Sequence, residues 1–470
     1  MVFTNSFFLF AFLPVVLFGY YMLQKKVFLQ NLFLAAASLL FYGWAAPKLM
    51  LLIMGSIIIN YSTALGVDKV QSRKGRLICI FGGIFCNIGI LFYFKYAGWF
   101  CEILQKIFKN EIGVVEIALP LGISFYTFQA MSYIIDVYRK KVRAQKNFLI
   151  VALYILMFPQ LVAGPIVRYA EIEQQICEVR NFIAGEFSVG VERFIKGFSK
   201  KILLADTLAV IADKAFSLNA QGELERTMAW LGAIAYALQI YYDFSGYSDM
   251  AIGLGKMLGF NYPENFDYPY FSTSITDFWH RWHMSLGLWF REYVYIPLGG
   301  SRKGRLRTII NLIITWLATG LWHGANLSFV AWGGYYGLLL IVEKMCRIPE
   351  KVNSNKVLGT LYRIGVIFLI ILGWILFRAD NIKDAVRFMS VMFGFQAAAA
   401  TADTAMLYLH TFRVELFLGI LFSVPVIPKV ISYKPDYLKI INDIIMALLF
   451  FVSISYVVKG TYSPFIYFDF

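Results

Sequence analysis

Charged residues, histidines and cysteines are all scarce in this sequence. Of its 470 residues, 15% are charged, four are histidine and five are cysteine, whereas 59% are hydrophobic. A soluble globular protein is about a quarter charged, so this composition, with a mean hydropathy of +0.64, excludes an ordinary soluble protein. The cysteines are scattered without CxxC spacing, which argues against a disulfide framework and against a zinc site.

Long apolar blocks recur along almost the whole chain. A spanning helix needs roughly 17 to 25 apolar residues, and many of the blocks approach or reach that length. We therefore predict an all-α polytopic membrane protein with about 10–12 transmembrane or re-entrant helices. The first block lacks a basic n-region and a small-residue cleavage site, so we expect a retained first helix. The blocks lie at residues 7–23, 28–44, 49–66, 77–98, 118–137, 148–167, 228–242, 309–321, 327–342, 364–377, 414–432 and 440–458.

The formal net charge is +14, and the positions of the basic residues indicate which kind of partner it suits. Basic residues concentrate in short loops at 69–76, 139–146 and 301–307, which is the positive-inside pattern of cytoplasmic membrane loops. The pattern does not predict nucleic-acid binding. We expect these loops to contact membrane lipid headgroups or a phosphate-bearing donor instead.

His323 stands in "ATGLWHGANLSFVAW", residues 318–332, within one of the most apolar parts of the chain. The preceding apolar run, residues 309–321, extends only about 20 Å as a helix, whereas the hydrocarbon core is roughly 30 Å thick. We therefore expect His323 to lie inside the membrane, beside a break at Gly324 that faces a cavity. Burial would keep the imidazole neutral and able to act as a general base. The alternative is a structural hydrogen bond to a neighbouring helix.

The segment from residue 261 to residue 307 interleaves aromatic and charged residues and is too polar for a simple lipid-facing span. Ser274 followed by Asp277 predicts a helix start, because the acid stands three residues after a hydroxyl. We expect that helix to run to about Glu292 and to end at the following proline and glycines.

The other polar residues of the apolar region have competing interpretations. His280 and His283 are one turn apart, but HxxH with a single acid is a weak metal signal, so we predict no metal site and place His283 at a cavity wall, where it would position substrate. Asn326 would orient substrate or stabilise an oxyanion, or else hydrogen-bond another helix. His410 is expected to be a surface or interface residue.

Two carboxylates and an arginine lie in otherwise apolar surroundings. Asp243 and Asp249, with Ser245 between them, would either anchor a basic side chain or line a polar substrate tunnel, and the sequence leaves both alternatives open. Arg168 follows a break that contains proline and glycine, as in a re-entrant segment. We count these residues, with Asn326, as candidates for a substrate tunnel.

The chain ends in "KGTYSPFIYFDF", residues 459–470, after a predicted final span. Lysines precede that span, so we expect these last residues on the non-cytoplasmic side. They would serve as an aromatic anchor at the membrane interface, or Tyr467 would offer a phenol as a temporary acyl acceptor.

Four motifs together resemble the membrane-bound O-acyltransferase (MBOAT) family, and most of all its bacterial branch that contains the membrane components of alginate and peptidoglycan O-acetylation. The similarity covers nearly the whole chain, and the motifs occur in the expected order. They are "FPQLVAGPIVRY" (158–169), "YYDFSGYSDMAIGLGKMLGF" (241–260), "RWHMSLGLWFREYVYIPLGGSRKG" (281–304) and "NLIITWLATGLWHGANLSFVAWG" (311–333).

The resemblance implies roles for individual residues. His323 corresponds to the essential histidine of the family and His283 to its second characteristic histidine. It also implies a helical bundle around a central funnel or tunnel, open to the cytoplasm for a thioester donor and to the opposite side for the acceptor. By the same analogy Tyr467 would relay the acyl group. The branch usually has arginine at the position of His280 and aspartate at that of Glu292, which weakens the metal interpretation further.

From these observations we expect one MBOAT-type transmembrane domain in the bacterial plasma membrane. It would move acetyl from cytoplasmic acetyl-CoA, with no bound cofactor, towards an exported polysaccharide. Its partners would be an extracytoplasmic transferase of the serine-hydrolase type and proteins of polysaccharide synthesis and export. The expected divisions are residues 1–110 (N-terminal helices), 118–345 (core with the motifs) and 360–470 (C-terminal helices and aromatic tail).

Three other functions stay open at the level of sequence. A D-alanyl transferase for teichoic acid would use the same fold with a carrier-protein donor. A transporter of glycan precursor would also use broken helices and polar residues inside the membrane. A scaffold for an export complex would need no catalytic histidine.

Overall fold

The computed structural model describes residues 1–44, 47–108, 118–352, 354–396, 403–425, 437–459 and 465–466. Every regular element among these residues is helical, which confirms the predicted all-α class. Short π-helical turns occur at Phe8–Phe12, Phe92–Tyr96, Lys200–Ala205 and Arg291–Tyr295, and a 3-10 turn at Pro269–Phe271. In chain order the α-helices are α1 (Leu13–Met22), α2 (Val27–Gly43), α3 (Leu49–Lys69), α4 (Arg73–Leu91), α5 (Ala97–Phe108), α6 (Ile123–Tyr138), α7 (Phe148–Leu156), α8 (Phe158–Leu161), α9 (Tyr169–Cys177), α10 (Ala184–Ser199), α11 (Asp206–Gln221), α12 (Arg226–Met257), α13 (Ile275–Arg281), α14 (Met284–Phe290), α15 (Arg305–His323), α16 (Leu327–Cys346), α17 (Ile348–Val352), α18 (Lys356–Arg378), α19 (Ile382–Phe393), α20 (Asp403–Thr411), α21 (Arg413–Phe422) and α22 (Tyr437–Val458).

Fewer helices are continuous spans than the apolar blocks predict. Among the described residues, four helical stretches are long and apolar enough to cross a membrane, and a fifth is obtained if a pair bent by 66° counts as one span. The block at 148–167 is interrupted, because at Met157 the backbone leaves the helical conformation and the block becomes α7 and α8. The qualifying stretches are Leu49–Lys69, Arg73–Phe108, Lys356–Arg378 and Ile440–Val458, and the bent pair is Thr404–Thr411 with Arg413–Phe422.

The chain divides into two compact units. The first comprises Met1–Lys196 and Tyr247–Glu264. In it α3 packs against α4 and α6, and the buried amides of Asn60 and Asn87 donate to each other at 3.0 and 2.9 Å. Such polar pairs stabilise helix contacts where the surroundings are as apolar as lipid.

The second unit comprises Gly197–Gly246 and Asn265–Phe470. Its core includes the fully buried rings of Trp332, Tyr336 and Trp374, which α16 and α18 contribute. The α15–α16 hairpin is packed so closely that a Cβ atom at Gly320 would lie 2.3 Å from the carbonyl oxygen of Phe329. Small residues at this contact let the two backbones approach.

The predicted helix from Ser274 begins as expected but does not run to Glu292. Ser274 Oγ accepts the Asp277 N–H at 2.9 Å, and α13 then ends at Arg281. His283 adopts the left-handed conformation, with φ 45° and ψ 53°. The Met284 N–H donates to the Asn265 carbonyl at 3.0 Å instead of continuing the helical ladder, so the chain turns and restarts as α14.

The break after His323 is present, but α15 is longer than the apolar run alone predicts. It begins at Arg305 and has 19 residues, which is about 28 Å of helix. Gly324 is extended, with φ −173° and ψ 160°, and α16 starts at Leu327. His323 therefore lies at the end of a helix whose length is close to the thickness of the bilayer core. The expectation that a short helix would leave His323 inside the membrane consequently loses its basis.

Candidate active site

A cavity of about 760 Å³ in the second unit is lined by both His283 and His323. Its wall is mainly apolar and aromatic, with contributions from α13, α14, α15 and α16. Trp279, Trp282 and Trp316 are among the lining residues. Two histidines that are 40 positions apart in sequence thus face one space large enough for a small-molecule group.

Aromatic rings surround His323, which is 4% exposed. The rings of Trp322, Trp332 and Phe377 meet the imidazole edge-on, with centroids at 5.0, 5.0 and 5.1 Å. Contacts with three rings restrict rotation of the imidazole, so its nitrogen atoms have defined positions relative to the cavity. A general base needs a nitrogen within hydrogen-bond reach of the proton that it removes, and a restrained ring keeps its nitrogen atoms in fixed positions for such a contact.

Asn265 holds His283 in a defined tautomer. Asn265 Oδ1 lies 3.2 Å from His283 Nδ1 and also accepts from Ser285, from its N–H at 3.2 Å and its hydroxyl at 2.9 Å. Because a backbone N–H only donates, this Asn265 atom is the oxygen, and His283 Nδ1 therefore carries the proton. Nε2 is then the acceptor nitrogen of the ring. Burial lowers the pKa of His283 to about 3, since desolvation disfavours the charged ring.

A buried carboxylate fixes the start of α13. Glu343 on α16 is 3% exposed, and its two oxygens accept the N–H groups of Ile275 at 2.9 Å and Thr276 at 2.8 Å. The Tyr362 hydroxyl donates to the same carboxylate at 2.5 Å. The first N–H groups of a helix have no partner within it, so an acceptor from another helix stabilises both. Glu343 thereby ties α13, which precedes His283, to α16.

Charged side chains line one part of the cavity. Arg291, Lys344 and Arg347 are exposed and line the cavity together with Glu350. Lys344 Nζ also donates to the Ser301 hydroxyl at 2.7 Å, which connects this edge to the basic loop. Glu343, described above, also lines the cavity, so three cations stand against two carboxylates and the lining keeps a surplus of one positive charge.

Asp243, a tunnel candidate, belongs to a buried ionic cluster. Its Oδ1 lies 2.6 Å from Lys201 Nζ, which also contacts Asp206 Oδ1 at 2.7 Å. Asp243 and Lys201 are 2% and 1% exposed. The nearby Ser245 is 1% exposed, and its hydroxyl has no hydrogen-bond partner among the described residues. Asp243 thus anchors a basic side chain, one of the two alternatives that the sequence left open.

The remaining candidates have local partners. Asn326 caps α16, accepting the Ser328 N–H at 3.0 Å and donating to the Asp380 carbonyl at 2.7 Å. This is a structural use, and it does not bring Asn326 to the cavity wall described above. In the first unit, Arg168 Nε donates to Glu171 at 3.0 Å.

Asp249, also in the first unit, accepts from Arg193 Nε at 2.7 Å. For Arg168, Ser245, Asp249 and Asn326, a place in a substrate tunnel stays a prediction. Tyr467 lies outside the described residues.

The two other histidines are exposed. His280 lines the cavity edge, and His410 lies on the surface of α20, as predicted. In the part of the chain that the structure describes, no group of three histidine, cysteine or acidic side chains is arranged to hold a metal ion.

Sequence reasoning missed three residues that support the site: Asn265, Glu343 and Lys201. Glu343 did give a signal, as a single acid at the end of an apolar run, and an ionisable residue in such a place usually has a defined partner. Lys201 likewise stands beside an apolar run. Asn265 gave no signal, because its role depends on a contact across 18 residues.

The fold and the cavity define a class: an integral membrane protein that places two buried histidines against one large, mostly apolar cavity. The chain belongs to the MBOAT, membrane-bound O-acyltransferase, family, whose family model matches residues 6–348. It is therefore an acyltransferase, and the predicted family and enzyme class are confirmed.

Individual relatives are informative about the branch. The chain is 39% identical to the "Probable alginate O-acetylase AlgI" of Pseudomonas putida, over 100% of both proteins. It is 34% identical to the peptidoglycan O-acetyltransferase of Helicobacter pylori, over 84% of this chain and 80% of the relative. A more distant relative is the teichoic acid D-alanyltransferase of Streptococcus thermophilus, 29% identical over 54% of this chain and 64% of that protein.

Proposed function

We propose that this protein is an O-acetyltransferase of the bacterial plasma membrane, which moves acetyl from cytoplasmic acetyl-CoA towards an exported cell-surface polysaccharide. The observation that carries the proposal is the shared cavity of His283 and His323 in a chain of the O-acyltransferase family. Relatives named for O-acetylation align over 84% or more of the chain, whereas the D-alanyltransferase aligns over 54%. This difference favours acetyl as the transferred group.

The charged part of the cavity suits the donor. Acetyl-CoA carries several phosphate charges on one end and a small thioester on the other. Arg291, Lys344 and Arg347 would bind the phosphates, and the apolar wall would receive the thioester end. Guanidinium and ammonium groups are the usual phosphate partners.

In the proposed reaction His323 acts as the general base. It removes the proton from the acceptor hydroxyl, and the oxygen attacks the thioester carbonyl carbon. The tetrahedral intermediate collapses, the carbon–sulfur bond breaks, and the imidazolium returns its proton to the departing thiolate. The products are an acetyl ester and free CoA. His283, with Nε2 as its acceptor nitrogen, would orient the acceptor hydroxyl, while Asn265 keeps its tautomer.

The acceptor would be Tyr467 or another hydroxyl that reaches the cavity from the non-cytoplasmic side. An extracytoplasmic transferase of the serine-hydrolase type would then pass the acetyl group to the polysaccharide, in association with synthesis and export proteins. The glycan would be an alginate-like polymer, peptidoglycan or another surface polymer.

The test is the His323→Ala variant in cells and as purified protein. A general base typically contributes 10²- to 10⁴-fold to the rate, so we expect acetyl transfer from labelled acetyl-CoA to fall by about 100-fold or more. The variant should be inserted at the wild-type level, and His410→Ala, which changes an exposed histidine, should keep full activity. Wild-type glycan acetylation by His323→Ala would refute the assignment and favour a scaffold. Transfer of D-alanine but not of acetyl by the wild-type protein would favour the teichoic acid alternative.

A further inference from the structure

A buried ionic cluster in the second unit holds the segment that immediately precedes Tyr467. Lys201 is 1% exposed, and it contacts Asp243 at 2.6 Å and Asp206 at 2.7 Å. A buried ammonium group is costly unless it is paired, and here two carboxylates surround it. The Asp243 carboxylate also has a second oxygen, Oδ2, which can accept a further donor.

That donor is a backbone amide from residue 466. The Ile466 N–H donates to Asp243 Oδ2 at 2.9 Å, whereas Lys201 Nζ pairs with Oδ1 of the same carboxylate. Beside it, Lys201 Nζ lies 4.6 Å from the centroid of the Phe465 ring, and Phe465 is 1% exposed. A charge-assisted hydrogen bond and a cation–π contact thus bind two consecutive residues to one ion pair.

The same turn of α12 also contacts the candidate active site. Phe244, the residue after Asp243, meets the His283 ring edge-on with centroids 4.6 Å apart. The anchoring carboxylate and a packing partner of His283 are therefore neighbours on one helix. A segment bound to Asp243 is consequently held at the turn of α12 that packs against His283.

We propose that Lys201 and Asp243 are positioning residues that hold residues 465–466, the segment that directly precedes Tyr467, the candidate acceptor, in the sequence. This inference rests on the proposed function, in which a hydroxyl of the chain takes the acetyl group. Neither Lys201 nor Asp243 takes part in the chemical step. They determine how often the acceptor is in place, and therefore affect kcat more than the KM for acetyl-CoA.

Hydrogen–deuterium exchange on the purified full-length protein tests whether Lys201 and Asp243 hold residues 465–466, and the measurement does not depend on activity. Asp243→Asn should raise the exchange rate of peptides containing Ile466 by about 10-fold or more, because a hydrogen bond to a charged group is lost. Lys201 keeps Asp206 as a partner, so the fold should survive. Asp249→Asn is the matched control, since it neutralises another buried carboxylate of the same helix and should leave this exchange unchanged. Unchanged exchange in Asp243→Asn would overturn the proposal.

A second pair of variants leaves the buried cluster intact. Ile466→Pro removes the donating N–H, whereas Ile466→Ala keeps it and loses only side-chain contacts. We expect kcat for acetyl transfer to fall about 10-fold or more in the proline variant, with the KM for acetyl-CoA unchanged, and much less in the alanine variant. Equal activity of the two variants would contradict a positioning role for the hydrogen bond from Ile466 to Asp243. If the wild-type protein transfers no acetyl at all, the proposed function fails, while the exchange result still decides whether the cluster holds the segment.

Discussion

Gly333 lies at the close contact between α16 and α15, and one methyl group there tests whether catalysis depends on the position of His323. A Cβ atom at residue 333 would lie 2.3 Å from the Trp316 carbonyl oxygen. Trp332, the neighbouring residue, packs edge-on against the His323 ring. We therefore predict that Gly333→Ala separates the two helices and displaces the imidazole from its place in the cavity.

The size of the displacement follows from the contact. Ordinary van der Waals contact begins at 3.4 Å, so the methyl group must move away by 3.4 − 2.3, or about 1 Å. Overpacking of this kind costs about 1–3 kcal/mol of stability, partly offset by the gain in helix propensity of up to about 1 kcal/mol. A misplacement of about 1 Å in an active site lowers the rate by up to about 100-fold. We expect kcat to fall by 10- to 100-fold.

The adjacent glycine is the control. A Cβ atom at Gly334 would meet only Leu317 Cδ2, at 3.9 Å, so Gly334→Ala has the same propensity gain without the clash. Both variants are assayed for acetyl transfer and for their apparent thermal midpoint in detergent. Wild-type kcat in Gly333→Ala, or an equal loss in Gly334→Ala, would show that the hairpin contact does not set the position of His323.

Two further predictions concern the supports of the site. Glu343→Gln should lower the apparent stability by about 1–3 kcal/mol, because a charged acceptor of two helix N–H groups is lost; Tyr362→Phe, which removes one donor to the same carboxylate, should cost less in the same thermal melts. The pKa of His283 is about 3 when folded and about 6.5 when unfolded, so the unfolded chain binds more protons between these values. Stability should therefore fall as the pH drops below about 6.5, by up to about 1.4 kcal/mol per pH unit, and His283→Asn should remove this contribution. The check is the difference between melting midpoints at pH 7.5 and pH 5, which should shrink in the variant.

Local signals explain which parts of the fold were predictable. The helical class and the break after His323 follow from apolar blocks and from Gly324, whose effects act over a few residues. The break at His283 was missed because it depends on Asn265, which accepts the Met284 N–H and competes with the helical ladder. The start of α15 was misplaced for a related reason, since Arg305 and its polar neighbours extend the helix beyond the apolar run.

The site was predictable where the free-energy cost of placing an ionisable side chain in apolar surroundings was enough to identify a residue. An imidazole in apolar surroundings is expensive, so His323 could be selected before its contacts were known. His283 stands in a more polar segment, and it was selected as a cavity-wall residue and through the family resemblance. The purpose of a buried carboxylate was not predictable in this way, because Asp243 requires Lys201 and Ile466 as partners, and these lie 42 and 223 residues away in sequence. Charge alone cannot distinguish an anchor from a tunnel wall.

The left-handed backbone at His283 decides which variants of this residue are informative. Asparagine and glycine adopt such dihedral angles at little cost, whereas a β-branched residue is strongly disfavoured there. A valine at this position would deform the corner between α13 and α14 and remove the ring at the same time. Asparagine preserves the corner, so any activity lost with it belongs to the imidazole itself.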